Sequence, residues 1–235
     1  MALPLYQSTA VREGLGTALR PGGASLTRRI VELSCPEPSM TVIDAGCGPS
    51  GSLEILRERG LRRVLGLDID RDFLGSARSR QFPVVQADLC RLPLAAASVD
   101  LIICECAWNL TPRELSLGEF HRVLRPGGQL AIADMYNQSE QVSGQTWPVP
   151  CCFAGASDLE TVRNLLTAAG FFITCVEDHS RLLRETAARF IFEHGSLQGF
   201  WQAVTGNSAT AAQACRAGAA TRPGLFLLLA TRNDP

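Results

Sequence analysis

The feature of this sequence that most restricts its fold is a regular alternation of short apolar segments with segments of helical periodicity. Strands are predicted at residues 41–45, 64–68, 83–87, 99–105, 129–134, 171–176 and 225–230. The segments between most of them repeat apolar residues at three- and four-residue spacing, which is typical of helices. Strands that alternate with helices in this way form a mostly parallel sheet with both faces covered. We therefore predict a doubly wound α/β fold with seven, mostly parallel, strands.

The helix starts and the domain limits can also be predicted. Four helices are expected to begin with a side-chain cap, from Ser25, Asp70, Thr111 and Ser157, the last two with a glutamate placed to complete a capping box. A helical stretch at 197–218 is interrupted by Gly206-Asn207. Residues 1–38 are predicted to form a helical lead-in, and residues 39–235 the main domain. A substrate-covering insertion is expected near 135–156.

Composition removes several classes of function. All 22 basic residues are arginines, so neither a P-loop lysine nor a Schiff-base lysine can be present. The three histidines lack metal-ligand spacing, so no metal site is expected. The formal net charge is -1 and there is no basic stripe, so a nucleic-acid partner is not expected.

Location and partners are inferred from the same data. No apolar stretch is long enough to cross a bilayer, and the first residues do not resemble a signal peptide. We expect a cytoplasmic monomer or homodimer whose nine cysteines are thiols. Most of these cysteines are expected to serve as small buried apolar residues.

A glycine-rich turn follows the first predicted strand. Residues 42–51 read VIDAGCGPSG, in which Gly46, Gly48 and Gly51 have the spacing G-x-G-x-x-G between a strand and a helix. Glycines at this point allow a tight turn and a close approach of the backbone to a ligand. The N-terminus of the following helix favours a carboxylate or phosphate. The turn alone fits a purely structural bend or a dinucleotide site equally well.

Three carboxylates make the prediction more specific. Asp44 ends the first strand, Asp68 the second, and Asp88 follows the third, so all three are expected at one edge of the sheet. A negative charge at Asp44 repels a pyrophosphate but suits a cationic amino group. Asp68 has the position of an acidic residue that accepts ribose hydroxyls. Asp88 can accept a hydrogen bond from an adenine amino group, and Leu89 can offer its backbone amide.

The order of these motifs resembles that of the class I S-adenosylmethionine-dependent methyltransferases, of the type-11 domain kind. The glycine turn is followed by GLDID at 66–70, ADL at 87–89, DLIICEC at 100–106 and RVLRPGG at 122–128. The resemblance extends over about residues 40–180 and implies a methyltransferase domain with S-adenosylmethionine as cofactor. It implies cofactor contacts from Asp44, Gly46, Cys47, Gly48, Asp68, Ile69, Asp88, Leu89, Cys104 and Glu105.

The acceptor side is less defined, because methyl transfer from a sulfonium needs alignment and exclusion of water more than it needs a catalytic triad. The residues around Cys106 and Cys152 resemble cysteine segments that bind trivalent arsenic in arsenite methyltransferases, which makes a thiol-bound metalloid one candidate acceptor. Both cysteines could equally be packed and inert. Glu105 is a candidate base, or a solvated strand-end carboxylate.

Three functions therefore remain open. The first is methyl transfer to a small molecule, with Glu105, Cys106 and Cys152 on the acceptor side. The second is a nicotinamide-dependent oxidoreductase that uses the same turn. The third is a non-catalytic protein that binds S-adenosylmethionine.

Overall fold

The computed structural model describes residues 4–139 and 146–233 and contains a seven-stranded sheet. The strands are β1 (Thr41–Ala45), β2 (Arg63–Asp68), β3 (Val84–Gln86), β4 (Val99–Glu105), β5 (Leu124–Asn137), β6 (Phe171–Asp178) and β7 (Pro223–Arg232). Their order is β3-β2-β1-β4-β5-β7-β6. The first five strands pair in parallel, and β7 is antiparallel to both β5 and β6. The predicted seven-stranded, mostly parallel sheet is confirmed.

The strand order reverses at β1, from which the chain proceeds to β2 on one side while β4 pairs on the other. In open parallel sheets a crevice for ligands forms at such a switch point, at the carboxyl ends of the strands. This is the position of the glycine-rich turn that follows Ala45.

Helices cover both faces of the sheet and one end of it. They are α1 (Thr9–Leu15), α2 (Gly23–Ser34), α3 (Gly51–Glu58), α4 (Arg71–Ser79), α5 (Arg113–Val123), α6 (Leu159–Ala168), α7 (Ser180–His194), α8 (Leu197–Thr205) and α9 (Ser208–Thr221). Among the residues with described positions, no helix is both long and apolar enough to pass through a membrane.

The sheet separates two apolar cores, and β4 contributes to both. Ile102 and Cys104 pack on one face with α5 and α6, whereas Leu101 and Ile103 pack on the other with α2, α3 and α4. Successive side chains of a strand point to opposite faces, so a strand buried on both sides is apolar along most of its length. This explains the uninterrupted apolar run that predicted β4.

One predicted helix cap is confirmed and three are wrong. The carboxylate of Asp70 accepts hydrogen bonds from the first turn of α4. Helix α2 begins before Ser25, at Gly23, and the hydroxyl of Ser25 donates to the carbonyl of Gly22 instead of capping the helix. Thr111 donates its hydroxyl to the carbonyl of Trp108 instead of capping α5. Asp158, the residue after Ser157, caps α6.

The N-terminal segment and the last helices form a third apolar cluster beside the sheet. Val11 of α1 packs there with Trp147, with the rings that α7 and α8 contribute, and with buried alanines of α9. The rings are those of Phe190, Phe200 and Trp201. The predicted insertion at 135–156 lies partly outside the described residues, at 140–145. Of its described residues, 135–137 belong to β5 rather than to an insertion, whereas Trp147 and Phe153 pack in the third apolar cluster, with ring centroids 4.9 Å apart. The predicted division at residue 38 stays a prediction.

Candidate functional site

A cleft with a volume of about 320 Å³ lies at the carboxyl ends of β1, β2 and β4. Its walls are Tyr6, Ala18, Leu19, Arg20, Gly46, Cys47, Gly48, Asp68, Ile69, Phe73, Ala87, Asp88, Leu89, Glu105, Cys106, Ala107, Leu110, Thr111 and Pro112. The volume is at the lower end of that of small-molecule sites in proteins. The cleft therefore brings together most of the residues to which the sequence assigned cofactor contacts.

The glycine turn forms the floor of the cleft and is fixed to the neighbouring strand. The amides of Gly46 and Cys47 both donate to the carbonyl of Leu67, over 2.7 and 3.0 Å. Gly46 has a φ of +81°, and a Cβ atom there would overlap the side chain of Ala107. Only glycine therefore fits at Gly46 without displacing the turn after β4.

The third glycine of the motif has a different role. A Cβ atom at Gly51 would lie 2.7 Å from the backbone oxygen of Thr17 and 3.0 Å from the Cα atom of Ala18. The absence of a side chain at Gly51 thus allows the N-terminal segment to pack directly on the start of α3. This contact places Leu19 and Arg20 over the glycine turn.

Asp68 joins the glycine turn to the start of α4. Its Oδ2 accepts a hydrogen bond of 2.8 Å from the amide of Gly48, and its Oδ1 one of 2.8 Å from the amide of Asp70. Burial raises the pKa of Asp68 above its ordinary value, and the bonds from these backbone amides oppose that rise. The carboxylate lines the cleft with a fixed orientation and has lone pairs left for hydroxyl donors.

Asp44 lies near the end of β1, just before the turn, and is 1% exposed, so its side chain is not among those that line the cleft. Its Oδ2 atom has no hydrogen-bond partner among the described residues. Burial, together with the neighbouring charge of Glu105, raises its pKa to about 8. A buried carboxyl oxygen without a partner is costly, and a cation or donor supplied by a ligand would lower that cost.

The far end of the cleft combines an apolar surface with a carboxylate. Ile69 is 63% exposed although its side chain borders the cleft, and Leu89 is buried beneath the opposite wall. Asp88 is exposed, and its Oδ1 accepts a hydrogen bond of 2.9 Å from the amide of Cys90. An exposed apolar side chain beside a hydrogen-bond acceptor suits a flat, heteroaromatic ring.

Glu105 borders the cleft, and its carboxylate is already bound on several sides. It accepts hydrogen bonds from Thr27 and Ser52, and Arg20 Nε lies 2.9 Å from its Oε1. Both side chains of this ion pair are nearly inaccessible to solvent. Its assignment as a base stays a prediction, but these contacts favour a role in positioning the N-terminal segment.

Cys104 does not reach the cleft. Its side chain is completely buried on the opposite face of β4, in the core with Ile102. The expected cofactor contact from the Cys104 side chain is therefore not supported by its position. The period of two along the strand explains the difference, because Cys104 and Glu105 point to opposite faces.

Several residues of the cleft were not identified from the sequence; four of them, Tyr6, Ala18, Leu19 and Arg20, come from the N-terminal segment, and Phe73 comes from α4. Tyr6 and Leu19 cover the cleft, and Gln7 Nε2 donates a hydrogen bond of 2.8 Å to Asp70 Oδ2. The amide of Leu5 donates to the carbonyl of Pro150 over 2.9 Å. A lead-in without a known motif gave no indication of where it would pack.

Cys106 and Cys152 are close together, as the acceptor-side prediction required. A side-chain hydrogen bond to Cys106, followed by burial, holds the pKa of Cys152 well above its usual range. Cys106 has a φ of +54°, an uncommon conformation for a residue with a side chain. No group of three or more His, Cys, Asp or Glu side chains suitable for a metal ion occurs among the described residues.

A second cavity, called the apolar cavity below, adjoins the cleft and has a volume of about 130 Å³. It is lined by Leu5, Tyr6, Val11, Leu15, Leu19, Pro21, Cys106, Leu110, Met135, Cys151, Cys152, Phe153, Leu183, Thr186, Ala187, Phe190, Leu197, Phe200 and Trp201. Tyr6, Leu19, Cys106 and Leu110 line both spaces. These four side chains therefore form a common boundary between the apolar cavity and the cleft.

This combination of a parallel sheet, a glycine turn and strand-end carboxylates defines a nucleoside-binding class of α/β protein. Residues 43–132 match the family model described as a methyltransferase domain. An uncharacterized methyltransferase of Synechocystis sp., sll0829, is 32% identical over 155 residues, which cover 60% of this chain and 70% of that protein. The chain belongs to the methyltransferase-domain family, and the resemblance inferred from its motifs is confirmed.

Other relatives are named for different methyltransferase activities. The trans-aconitate 2-methyltransferase of Azoarcus sp. is 36% identical over 155 residues, covering 63% of this chain and 59% of that enzyme. The arsenite methyltransferase of Halobacterium salinarum is 29% identical over 147 residues, covering 57% and 38% respectively. The aligned segment spans about half the length of the curated relatives it matches.

Solved structures share the fold. Phosphoethanolamine N-methyltransferase 2 of Haemonchus contortus, solved with S-adenosyl-L-methionine, superposes with a TM-score of 0.73 at 17% identity. The match covers 96% of this chain and 56% of that one. At this identity the match supports the architecture only.

Proposed function

We propose that this chain binds S-adenosylmethionine in the cleft and transfers its methyl group to a small molecule. The observation that carries the proposal is the carboxyl group of Asp44, which is buried with one oxygen unpartnered just before the glycine turn and interacts electrostatically with Asp68, a carboxylate fixed by the amide of Gly48. Family membership and the activities for which the relatives are named support the same reaction class.

The residues around the cleft suit the parts of this cofactor. Asp44 and the turn of Gly46 and Gly48 would hold the methionine portion, because its ammonium group supplies the missing donor. Asp68 would accept the ribose hydroxyls, and the surface of Ile69 would be covered by the adenine. An exposed Ile69 and an unpartnered Asp44 oxygen are the two features that such a ligand would satisfy.

When bound, the cofactor would supply an electrophilic methyl group, with its sulfur as the neutral leaving group. The task of this chain is to align the acceptor and exclude water. Tyr6 and Leu19 would do this by covering the cleft from the N-terminal side.

Calorimetry with S-adenosylhomocysteine and NADH tests the proposal and the nicotinamide alternative together. We expect binding of S-adenosylhomocysteine and none of NADH, since the acidic side chain of Asp44 suits an ammonium group and supplies no cation to a pyrophosphate. Asp68→Ala should weaken binding of S-adenosylhomocysteine at least about tenfold, which corresponds to about 1.4 kcal/mol. Asp72→Ala, four residues away on the exposed start of α4, is the matched control and should bind normally. Binding of NADH alone would refute the proposal.

A second candidate acceptor is a trivalent metalloid held by Cys106 and Cys152. The contact between the two thiols and the 29% identity to an arsenite methyltransferase favour it. The raised pKa of Cys152 weighs against it, because metal-binding cysteines are deprotonated. Titration with arsenite tests whether the two cysteines form a metalloid site. Unchanged binding of arsenite to a Cys106→Ser, Cys152→Ser variant would exclude this site.

A third possibility is that the chain binds S-adenosylmethionine without turnover. A screen of acceptors with labelled cofactor addresses it. Methyl transfer to any member of the screen excludes a purely binding role, and cofactor binding without transfer over a broad panel favours it.

A further inference from the structure

The apolar cavity has the position expected of an acceptor site. It meets the cleft at Cys106 and Leu110, which follow β4, and at Tyr6 and Leu19, which come from the N-terminal segment. A molecule in this cavity would therefore contact the same four side chains as a ligand in the cleft.

The chemistry of the lining is almost entirely apolar. Aromatic rings from Phe153, Phe190, Phe200 and Trp201 form one part of the wall. The hydroxyl of Thr186 lines the cavity too, but it donates to the carbonyl of Leu182 over 2.9 Å and is thus already bonded. None of the described lining residues carries a formal charge at neutral pH. A charged ligand would lose its hydration here without gaining a counter-ion.

The arginine that lines the cleft is not available for an anionic acceptor. Arg20 borders the cleft, but its guanidinium contacts Glu105, Thr27 and the carbonyl of Ala18. Drawing Arg20 away from Glu105 would leave a buried carboxylate unpaired, which is strongly unfavourable.

The size of the cavity limits the ligand further. An engineered cavity of about 150 Å³ with aliphatic and aromatic walls binds benzene. The apolar cavity, at about 130 Å³, is of similar volume. A ligand that fills the cavity should therefore be similar in size to a single aromatic ring.

We propose that the methyl acceptor is a small uncharged molecule whose apolar body, about the size of one aromatic ring, lies in the apolar cavity with its nucleophilic atom toward Cys106. This inference rests on the proposed function, since the cleft must hold the methyl donor. An uncharged, apolar acceptor would distinguish this chain from the relatives that are named for trans-aconitate and arsenite.

Two alanines on α7 provide a matched pair for the test. Ala187 lines the cavity, and its neighbour Ala188 is exposed to solvent. Ala187→Trp should fill the cavity, whereas Ala188→Trp adds the same side chain outside it. Ala187→Leu fills less volume and serves if the tryptophan variant does not fold.

Binding is measured by calorimetry on the full chain saturated with S-adenosylhomocysteine, with phenol as the uncharged probe and benzoate as a charged probe of similar size. We expect phenol to bind the wild type and Ala188→Trp equally, and Ala187→Trp at least about tenfold more weakly, or about 1.4 kcal/mol. Benzoate should bind the wild type at least about tenfold more weakly than phenol. Affinity for S-adenosylhomocysteine should stay within about twofold in both variants.

The outcomes separate this inference from the proposed function. Normal binding of S-adenosylhomocysteine with no binding of phenol, with tighter binding of benzoate, or with no effect of Ala187→Trp would overturn the inference and leave the proposed function intact. No binding of S-adenosylhomocysteine to the folded wild type would refute the proposed function itself, and the acceptor assignment with it.

Discussion

At the scale of single residues, Asp44 has the most unusual environment in the cleft region. Its carboxyl group is buried, and its pKa is raised to about 8, first by desolvation and then by the charge of Glu105. The ordinary value in an unfolded chain is about 3.9. Between about pH 4 and pH 8 the folded state therefore retains a proton that the unfolded state has lost. The contribution of Asp44 to stability decreases as the pH rises through this range.

Asp44→Asn should remove this loss of stability and also weaken binding of the cofactor. Without ligand, the variant is expected to melt at least about 2 °C above the wild type at pH 8, with a smaller difference at pH 5. Its affinity for S-adenosylhomocysteine should fall at least about tenfold, about 1.4 kcal/mol, because the amide cannot pair with an ammonium group. Melting curves at both pH values and calorimetry check this. Equal affinity of variant and wild type would disprove the ammonium contact.

Gly46 is the residue at which backbone conformation most restricts the site. Gly46→Ala should destabilise the protein by more than about 2 kcal/mol, because the new methyl group meets Ala107 in addition to the cost of a positive φ. It should also reduce cofactor affinity at least about tenfold. Denaturant unfolding and calorimetry measure the two effects.

Gly60 provides the control for this prediction. It has the same φ of +81° as Gly46, and a Cβ atom there meets open space. Gly60→Ala should lower the free energy of unfolding only by the cost of a positive φ angle, about 1 kcal/mol, and should leave cofactor affinity unchanged. Equal costs at the two positions would show that the contact with Ala107 is unimportant.

At the scale of secondary structure elements, a buried ion pair joins the N-terminal segment to the end of β4. Arg20 precedes α2, Glu105 ends β4, and Thr27 of α2 contacts both. Replacement of one partner of a buried pair leaves the other charge uncompensated. The pair therefore fixes the position of the segment that covers the cleft.

Arg20→Met should lower the free energy of unfolding by about 3 kcal/mol, because it leaves the Glu105 carboxylate buried and unpaired. The double variant Arg20→Met, Glu105→Gln should recover at least half of that loss, since no buried charge remains. Arg181→Met, which breaks an exposed pair with Glu185 on α7, should cost less than about 1 kcal/mol. Urea denaturation measures all three, and no recovery in the double variant would contradict the explanation.

At the scale of the whole molecule, ligand binding and folding should be coupled, because the cleft uses residues distant in sequence. Tyr6, Asp68 and Cys106 meet there only in the folded chain. Stabilisation by a ligand that binds only the folded state is about 2.7 kcal/mol at one hundred times its dissociation constant.

S-adenosylhomocysteine at that concentration should therefore raise the melting temperature by roughly 5–10 °C. Far-ultraviolet circular dichroism and tryptophan fluorescence should report the same transition, since Trp108 lies in the sheet core and Trp147 in the third apolar cluster. Two separate transitions, or a shift seen by only one probe, would show that the N-terminal and C-terminal helices unfold independently of the sheet.

Much of this architecture could be predicted from local sequence. The predicted limits of β1 and β4 match the structure, because a short apolar run between turn residues has few other solutions. Strands β5, β6 and β7 extend beyond their predicted limits, since Met135 and Glu177, among others, continue the pairing beyond the apolar run. Helix caps were less predictable, because Thr111 and Ser157 found other hydrogen-bond partners.

The sequence by itself determined the sheet, the glycine turn and the carboxylates at the strand ends, because these depend on residue spacing within one strand–turn–helix unit. Only the tertiary structure decided that Tyr6, Leu19 and Arg20 cover the cleft, that Glu105 is bound by Arg20, and that an apolar cavity opens beside Cys106. These contacts join segments far apart in the chain. Their formation depends on how whole faces pack together, and no local pattern of residues encodes that.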